Sequence, residues 1–172
     1  MTLLICEPQA DRHRFLIQER LLTGSDPQHS FRLQAKGTPE TVRVILSDLR
    51  ARVQALGISE DQCGTIEIAM AEALNNIIEH AYAPECEGPL RLDVSLGDTQ
   101  LQIETRDIGH PLPGLDLPVN AFPDASGPLD SLPEGGFGWF LIRELTNKVE
   151  YTRKENKNHL TLVFAINPTD PA

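Results

Sequence analysis

Cysteine is scarce in this sequence. The 172 residues include three cysteines, Cys6, Cys63 and Cys86, which lie far apart and form no CxxC pair. The five histidines likewise form no pair at the spacing of a metal site. These absences argue against a disulfide framework and against a zinc-binding module. We therefore expect reduced thiols in a cytoplasmic protein.

Long hydrophobic runs and runs of basic residues are also missing. No stretch approaches the roughly 20 apolar residues of a membrane span, and the first residues turn polar too soon for a signal peptide. The 15 lysines and arginines stand against 25 acidic residues, a net charge of −10. A surface that follows nucleic-acid phosphates needs a basic patch, and no basic run is present. We therefore expect no membrane and no direct nucleic acid as partner, whereas a protein with a basic face would suit the charge.

What is present is ordinary for a globular protein, with 40% hydrophobic and 23% charged residues. A chain of this length corresponds to about one domain. Residues 1–30 contain a short apolar stretch and a helix candidate without a clean apolar face. We predict an N-terminal arm over residues 1–30, serving as a dimer or partner-binding element, and one domain over residues 31–168.

The domain begins with a strand followed by a well-marked helix. Residues 31–36 have strand character, and Thr38 precedes Pro39 in the pattern of an N-cap with proline at the first helical position. Apolar residues then recur at helical spacing over residues 42–56. Gly57 marks the end of this amphipathic helix.

The remaining elements follow the same two periodicities. They are a helix over residues 60–82, strands over 90–96 and 101–103 around a Gly97-Asp98 turn, a helix over 138–146, and strands over 148–153 and 159–166. Helices and antiparallel strands segregate along the chain. The predicted fold class is therefore α+β, a two-layer sandwich of a mostly antiparallel sheet with helices on one face.

Three polar residues share one stripe of the second helix. Glu72, Asn76 and His80 follow at i, i+4 and i+8, in steps of about 40° around the helix axis. The stripe has two interpretations at this point, a solvated face of a core helix or a binding site. Asparagine is a poor helix former, which favours the second interpretation slightly.

Two glycine-containing segments flank a proline-rich stretch over residues 110–134. Asp107-Ile108-Gly109 ends a strand, where a simple turn is the alternative interpretation. Glu134-Gly135-Gly136-Phe137-Gly138 precedes a helix, so it forms either an anion cradle at a helix N-terminus or a flexible hinge. No Gly-Lys-Ser/Thr follows, which excludes a Walker A loop. A loop as long as 110–134 is usually functional or mobile.

The three motifs together resemble the GHKL ATPase superfamily with its Bergerat-type ATP site. The order is E-x-x-x-N-x-x-x-H-A-Y on a helix, D-x-G after a strand, a variable loop, and G-G-x-G opening a helix. The segments AEALNNIIEHAY, RDIGHPLP and GGFGWFLIRELTNKVEY are similar to the bacterial anti-sigma-factor serine/threonine kinases, the RsbW-like family. The resemblance covers residues 31–166 and leaves the arm outside.

The resemblance implies ATP and Mg²⁺ as cofactors. It assigns Asn76 as the ligand that links Mg²⁺ to the nucleotide phosphates, and Glu72 as the general base that accepts the proton of a protein hydroxyl. Both assignments suit the chemistry of these side chains. His80 is implied as a supporting residue beside the nucleotide.

The other two motifs would bind the base and the phosphates. The resemblance implies that Asp107 accepts a hydrogen bond from the adenine amino group and that Gly109 leaves room for the base. Gly135, Gly136 and Gly138 would line the phosphates, and residues 110–134 would form the ATP lid.

Two features depart from the wider superfamily. Pro111 stands where the D-x-G-x-G motif has its second glycine, as it does in the anti-sigma-like branch. Residues 107–142 contain no lysine or arginine. Mg²⁺, backbone dipoles or a residue outside this range must then neutralise the phosphates, and an inactive kinase is an open alternative.

The leading functional hypothesis is an ATP-dependent protein serine/threonine kinase that phosphorylates a STAS-like anti-sigma antagonist and sequesters a sigma factor. The alternative is a catalytically inactive nucleotide-binding interaction module, which would not need Glu72. A histidine-kinase catalytic domain is disfavoured, because the 30 or so preceding residues cannot supply a phosphoacceptor helix pair. The arm leaves a homodimer open.

Overall fold

Five antiparallel strands form one sheet in the part of the chain that the structure describes, residues 30–82, 87–118 and 137–166 of a computed structural model. The strands lie in the order β1-β2-β3-β5-β4. Their bounds are Ser30–Lys36 (β1), Pro89–Leu96 (β2), Gln100–Asp107 (β3), Lys148–Lys154 (β4) and Lys157–Ala165 (β5). The helices are Pro39–Ala55 (α1), Glu60–Asn76 (α2) and Phe137–Leu145 (α3). The predicted elements of residues 1–29 lie outside the described residues.

The apolar core lies between the helices and one face of the sheet. The inward side of α2 is fully buried at Ala69, Met70, Ala73 and Leu74, four positions that share one side of a helix at 100° per residue. The sheet contributes alternate residues of each strand, which are Leu90, Leu92, Val94, Leu101, Ile103, Leu160, Leu162 and Phe164. Because the helices cover one face only, the predicted two-layer α+β sandwich is confirmed.

Helix α1 begins and ends where local chemistry predicts. The Thr38 hydroxyl accepts a hydrogen bond from Thr41 N, and Thr38 N donates to Thr41 Oγ1 at 2.9 Å, a reciprocal capping box. Gly57 follows the helix with a φ of 85°, a conformation that suits glycine at a helix C-terminus. These local signals explain why the α1 boundaries are readable from the sequence.

Glu67, on the side of α2 next to α1, forms an ion pair. Glu67 pairs with Arg50 of α1, and the same guanidinium pairs with Glu60 at the start of α2. The ion pairs therefore bridge the two helices at the edge of the core. Cys63 lies in the core as a free thiol whose pKa is raised mainly by burial, in keeping with the reduced state expected.

The last turn of the second helix differs from the sequence prediction. The α-helix ends at Asn76 and continues as a π-helical segment over Ile77–Ala81, with Tyr82 N donating to Ile77 O at 3.1 Å. The carbonyl of Ala81 accepts a hydrogen bond from His110 N at 2.7 Å, so the segment after β3 docks on the end of this turn. Helical periodicity assumes 100° per residue and cannot anticipate this tertiary contact.

Gly109 makes that docking contact sterically feasible. A Cβ atom at Gly109 would lie 2.4 Å from the carbonyl oxygen of Ala81, which is backbone and cannot move aside. We expect Gly109→Ala to lower the free energy of unfolding by about 1–3 kcal/mol through overpacking. Urea unfolding measures the effect.

Gly64→Ala is the matched control for this substitution. A Cβ at Gly64, inside α2, would meet nothing within 4 Å. This change should stabilise the protein by about 0.5–1 kcal/mol, because alanine loses less entropy in a helix. Equal unfolding curves for Gly109→Ala and the wild type would contradict the packing role.

The described residues offer neither a membrane span nor a metal cluster. None of the helices in residues 30–82, 87–118 and 137–166 is long and apolar enough to cross a bilayer. In the same ranges, no three or more His, Cys, Asp or Glu side chains converge on a point that could hold a metal ion.

Candidate functional site

A cavity of about 350 Å³ lies between the end of α2, the segment after β3, the start of α3 and the β4–β5 hairpin. Its walls are mostly apolar, with Trp139 and Leu160 among them. The polar residues that line it are Asn76, His80, Asp107, His110, Tyr151 and Asn158. A mostly apolar cavity of this size with a few convergent polar groups is typical of a small-molecule site.

The structure brings the predicted site residues of different motifs together. Asn76, His80 and Asp107 line the cavity. A Cβ at Gly138 would lie 2.6 Å from Glu72 Oε2 and 3.8 Å from Asn76 Nδ2, so the start of α3 packs directly against the polar stripe of α2. Glycine therefore lets the N-terminus of α3 approach the two polar side chains.

For three of the predicted site residues, Gly109, Gly135 and Gly136, the described part of the structure shows no contact with this cavity. Gly135 and Gly136 fall outside the described residues. Gly109 packs against Ala81, so the structure gives its missing side chain a docking role. Its role in leaving room for the base stays a prediction, as do the phosphate roles of the other two glycines.

Asp107 presents one carboxylate oxygen to the scaffold and keeps the other available. The residue is 4% exposed. Its Oδ1 accepts hydrogen bonds from Gly109 N at 2.8 Å and from Asn158 Nδ2 at 2.7 Å. Its Oδ2 has no hydrogen-bond partner among the described residues, and the side chain lines the cavity. Asp107 can therefore accept a hydrogen bond from a ligand with its orientation already fixed.

The pKa of Asp107 is raised above its ordinary value. Burial is the largest cause, and the hydrogen bonds from Asn158 and Gly109 act in the opposite direction. The acceptor form of this carboxyl is therefore lost at a higher pH than for an exposed aspartate.

Asn158 is a site residue that the sequence reasoning missed. It is 4% exposed, and its amide oxygen accepts from Tyr151 OH at 2.8 Å and from Arg153 Nη1 at 2.5 Å. Its amide nitrogen donates to Asp107 Oδ1 and, at 3.0 Å, to the carbonyl of His110. One buried side chain thus ties the β4–β5 hairpin to Asp107 and to the following segment.

The sequence does carry a weak signal for Asn158. The residue shares the parity of Leu160 and Leu162, whose side chains face the core. A polar residue at a core-facing strand position needs hydrogen-bond partners, and that requirement points to a buried network.

The same hairpin brings an arginine next to the segment that begins at Asp107, which contains no lysine or arginine of its own. Arg153 Nη1 donates to the carbonyl of Gly109 at 3.0 Å. Tyr151 OH accepts from Leu112 N at 3.1 Å. The stretch that follows Asp107 is therefore held by contacts from β4 as well as by Ala81.

Asn76 fits the metal-linking role. Its Nδ2 atom is buried without a hydrogen-bond partner in the part of the chain that the structure describes. Leaving such an amide unsatisfied is costly, so a ligand that engages it gains that energy. A half-turn of the amide exchanges nitrogen and oxygen, and an amide oxygen is the ligand type that Mg²⁺ accepts. The side chain thus suits a hydrated Mg²⁺ that brings most of its other ligands with it.

The matching family model is that of the histidine kinase-like ATPase domain, over residues 35–164. The serine-protein kinase RsbW of Halalkalibacterium halodurans is 35% identical over 63% of this chain and 65% of its own length. The RsbW of Bacillus thuringiensis is 29% identical over 67% of this chain and 72% of its own. The chain thus matches about two thirds of these curated relatives. Both relatives are named serine-protein kinases, the class of protein that the sequence motifs predict for this chain.

A solved structure supports the fold independently. The RsbU and RsbW domains of a Mycobacterium tuberculosis protein align with 80% of this chain and 33% of that one, at a TM-score of 0.54 and 17% identity. At that identity the likeness shows the fold alone. Use of ATP follows from the family match, since the matching domain is an ATPase domain. The chain therefore belongs to the family of histidine kinase-like ATPase domains, in which it is similar to the RsbW serine-protein kinases, as its three motifs indicate.

Proposed function

We propose that this protein is an ATP-dependent serine/threonine kinase and anti-sigma switch, which phosphorylates a STAS-like anti-sigma antagonist and, in another state, sequesters a sigma factor. One observation carries the proposal. The carboxylate of Glu72, the amide of Asn76 and Gly138 at the start of α3 meet at one point, beside a cavity that Asp107 also lines. That arrangement suits a nucleotide whose base lies at Asp107 and whose phosphates lie at α3.

Each side chain has a separate task in this mechanism. Asp107 Oδ2 accepts from the adenine amino group, and the apolar walls bury the base. Asn76 holds Mg²⁺, which supplies charge neutralisation of the phosphates when bound. The N-terminal N–H groups of α3 favour the phosphate negative charge.

Glu72 handles the proton of the acceptor. The serine hydroxyl oxygen of the partner bonds to the γ-phosphorus, the bond between that phosphorus and the β–γ bridging oxygen breaks, and ADP leaves. The hydroxyl proton goes to the Glu72 carboxylate. Glu72 Oε2 lies beside Gly138 at the start of α3, next to the place proposed for the phosphates.

The second candidate is a catalytically inactive nucleotide-binding interaction module. Two arginines near the cavity are already engaged, since Arg143 Nη2 donates to the Pro118 carbonyl at 2.8 Å and Arg153 bonds to Asn158 and Gly109. Both are held by oxygens of the scaffold, and residues 107–142 contain no lysine or arginine of their own to meet a transferring phosphate. A module of this kind would bind ATP and its partner without transferring the phosphoryl group.

One experiment separates the two candidates. The purified chain is incubated with γ-labelled ATP, Mg²⁺ and the antagonist protein encoded nearby. The kinase proposal expects label on a serine or threonine of the antagonist. Binding of ATP and antagonist without label under these conditions would leave the module as the function.

Asn76→Ala should remove the Mg²⁺ dependence of ATP binding. The variant loses the side chain that links metal to nucleotide, so added Mg²⁺ should no longer raise ATP affinity as it does in the wild type. Isothermal titration calorimetry with and without Mg²⁺ measures the difference. Asn75→Ala is the matched control, because Asn75 is the exposed neighbour on the same helix. An unchanged Mg²⁺ effect in Asn76→Ala would refute the assignment.

A further inference from the structure

The sheet face away from the helices carries a row of basic side chains. Arg91 on β2 lies opposite Arg106 on β3, and Arg106 lies opposite His159 on β5. Each of these residues alternates with a core-facing neighbour, so the three side chains share the uncovered face. The sequence has no basic run here, and only the strand order brings these residues side by side.

A row of carboxylates holds the two arginines in position. Arg91 Nη2 lies 2.6 Å from Asp93 Oδ2, and Arg106 binds Glu104 through Nε at 2.7 Å and Nη2 at 3.1 Å. Asp93 and Glu104 are cross-strand neighbours one step along the sheet. In both arginines the Nη1 group has no partner among the described residues. These donors are pre-oriented, which lowers the entropy lost on binding an anion.

The basic row borders a recess of about 480 Å³, which we call the basic recess. The cationic side chains that line it are Arg91, Arg106, Lys154 and Lys157, with His159 beside them. Its acidic residues are Glu155 and the buried Asp107. Within the described ranges, Lys154 and Lys157 form no ion pair. The lining of the recess thus has four cationic side chains against two acidic ones, and its two arginines are each paired with a neighbouring carboxylate, Asp93 or Glu104.

We propose that the basic recess binds an extended, carboxylate-rich segment of a partner protein. The row of cross-strand neighbours runs from Gln34 on β1 to Thr152 on β4. Five strands at about 4.8 Å spacing make it roughly 19 Å long, the length of an extended segment of about six residues. A single small anion would fill only part of that length. Carboxylates also match the fork of arginine donors.

The occupant differs from the ATP of the proposed function. The nucleotide cavity lies on the helix side of the sheet, whereas Arg91, Arg106 and His159 of the basic recess lie on the opposite face. Asp107, at the end of β3, borders both. A nucleic acid is disfavoured, since its phosphates repeat beyond the few cations available. A partner segment with alternating carboxylates suits both the charge and the length.

Fluorescein-labelled hexaglutamate tests the proposal with the full chain, and labelled hexaglutamine is the uncharged probe of equal length. We expect a saturable rise in fluorescence anisotropy with hexaglutamate and none with hexaglutamine. The affinity for hexaglutamate should fall as the salt concentration rises. In amide NMR spectra, the shifts should change at Arg91, Arg106 and Lys157. Equal binding of hexaglutamine, or shift changes confined to other surfaces, would overturn the proposal.

Charge reversal locates the site on the sheet. Lys154 and Lys148 lie at opposite ends of the same strand, β4, and both are exposed. Lys154→Glu should weaken hexaglutamate binding about three- to tenfold, because it replaces an attraction by a repulsion. Lys148→Glu makes the same change of charge and should bind nearly as the wild type. Equal weakening in the two variants would show nonspecific attraction and overturn the proposal.

Two further probes decide the class of occupant. Inorganic phosphate is added at the same total concentration of negative charge as hexaglutamate. If it produces the same changes in the amide NMR shifts, the occupant is a small anion and the peptide proposal is overturned. If a single-stranded oligonucleotide binds more tightly than hexaglutamate, the occupant is a nucleic acid and the peptide proposal is overturned. Mg-ATP affinity should be equal in wild type and Lys154→Glu, and a loss would show that the two sites are not separate.

Discussion

Glu72→Gln is expected to lower the rate of phosphoryl transfer by about 10²–10⁴-fold, the usual effect of losing a general base. Glutamine keeps the shape of the side chain, which matters because Glu72 Oε2 lies against the start of α3 at Gly138. The amide cannot accept the serine proton. Single-turnover transfer from γ-labelled ATP measures the rate, and calorimetry should show unchanged Mg-ATP affinity.

Glu79→Gln is the control for this substitution. Glu79 is an exposed carboxylate in the π-helical segment, and the same loss of charge there should leave transfer near the wild-type rate. If Glu72→Gln transfers at the wild-type rate, Glu72 is not the base. If it loses ATP affinity in parallel with the rate, its role is in binding.

Asp107→Asn is expected to weaken ATP binding by about 10- to 100-fold, since a hydrogen bond to a charged group contributes about 1.5–3 kcal/mol. The buried amide would present a donor or a neutral acceptor where the adenine amino group needs the carboxylate. Inosine triphosphate is the matched probe, because it carries a carbonyl in place of that amino group. The preference for ATP over inosine triphosphate should shrink in the variant.

Although Asp107→Asn should weaken ATP binding, it should raise the free energy of unfolding at neutral pH. Burial raises the pKa of Asp107, so its protonated form favours folding at low pH and that contribution is lost as the pH rises through the raised pKa. Asparagine has no such loss. Relative to the wild type, Asp107→Asn should therefore gain stability towards neutral pH in urea unfolding. A difference that stays constant with pH would contradict this electrostatic account.

Much of the fold was predictable because its signals are local. Thr38, Pro39 and Gly57 delimit α1 by capping chemistry, and strict alternation marks β2 and β5. The family resemblance was confirmed by the family match, and the order of motifs placed Asn76 and Asp107 at one cavity. Roles at that cavity remain predictions.

What the sequence could not reveal depends on tertiary placement. The order β3-β5-β4 puts Asn158 opposite both Asp107 and Arg153, although the first of these lies far away along the chain. The π-helical end of the second helix depends on the contact between Ala81 and His110. The basic recess likewise needs strand pairing, since none of its cations form a run.

Residues 1–29 and 119–136 lie outside the described ranges. The arm and most of the ATP lid therefore stay predictions, as does the domain boundary at residue 31. The described part of the segment that we predict as the lid, residues 110–118, contains a single 3₁₀ turn at Pro113–Leu115. Arg143 binds the carbonyl of Pro118 and so connects this part to α3.

The fluorescence of Trp139 tests the central claim, that this cavity is the nucleotide site, most directly. Trp139 is the sole tryptophan of the chain and lines the cavity, so its emission reports on that place alone. Titration with Mg-ATP should give a saturable change in the wild type that shifts to about 10- to 100-fold higher ATP in Asp107→Asn. The claim would be contradicted by ATP binding, measured calorimetrically on the same sample, that leaves Trp139 emission unchanged or is equally tight in Asp107→Asn.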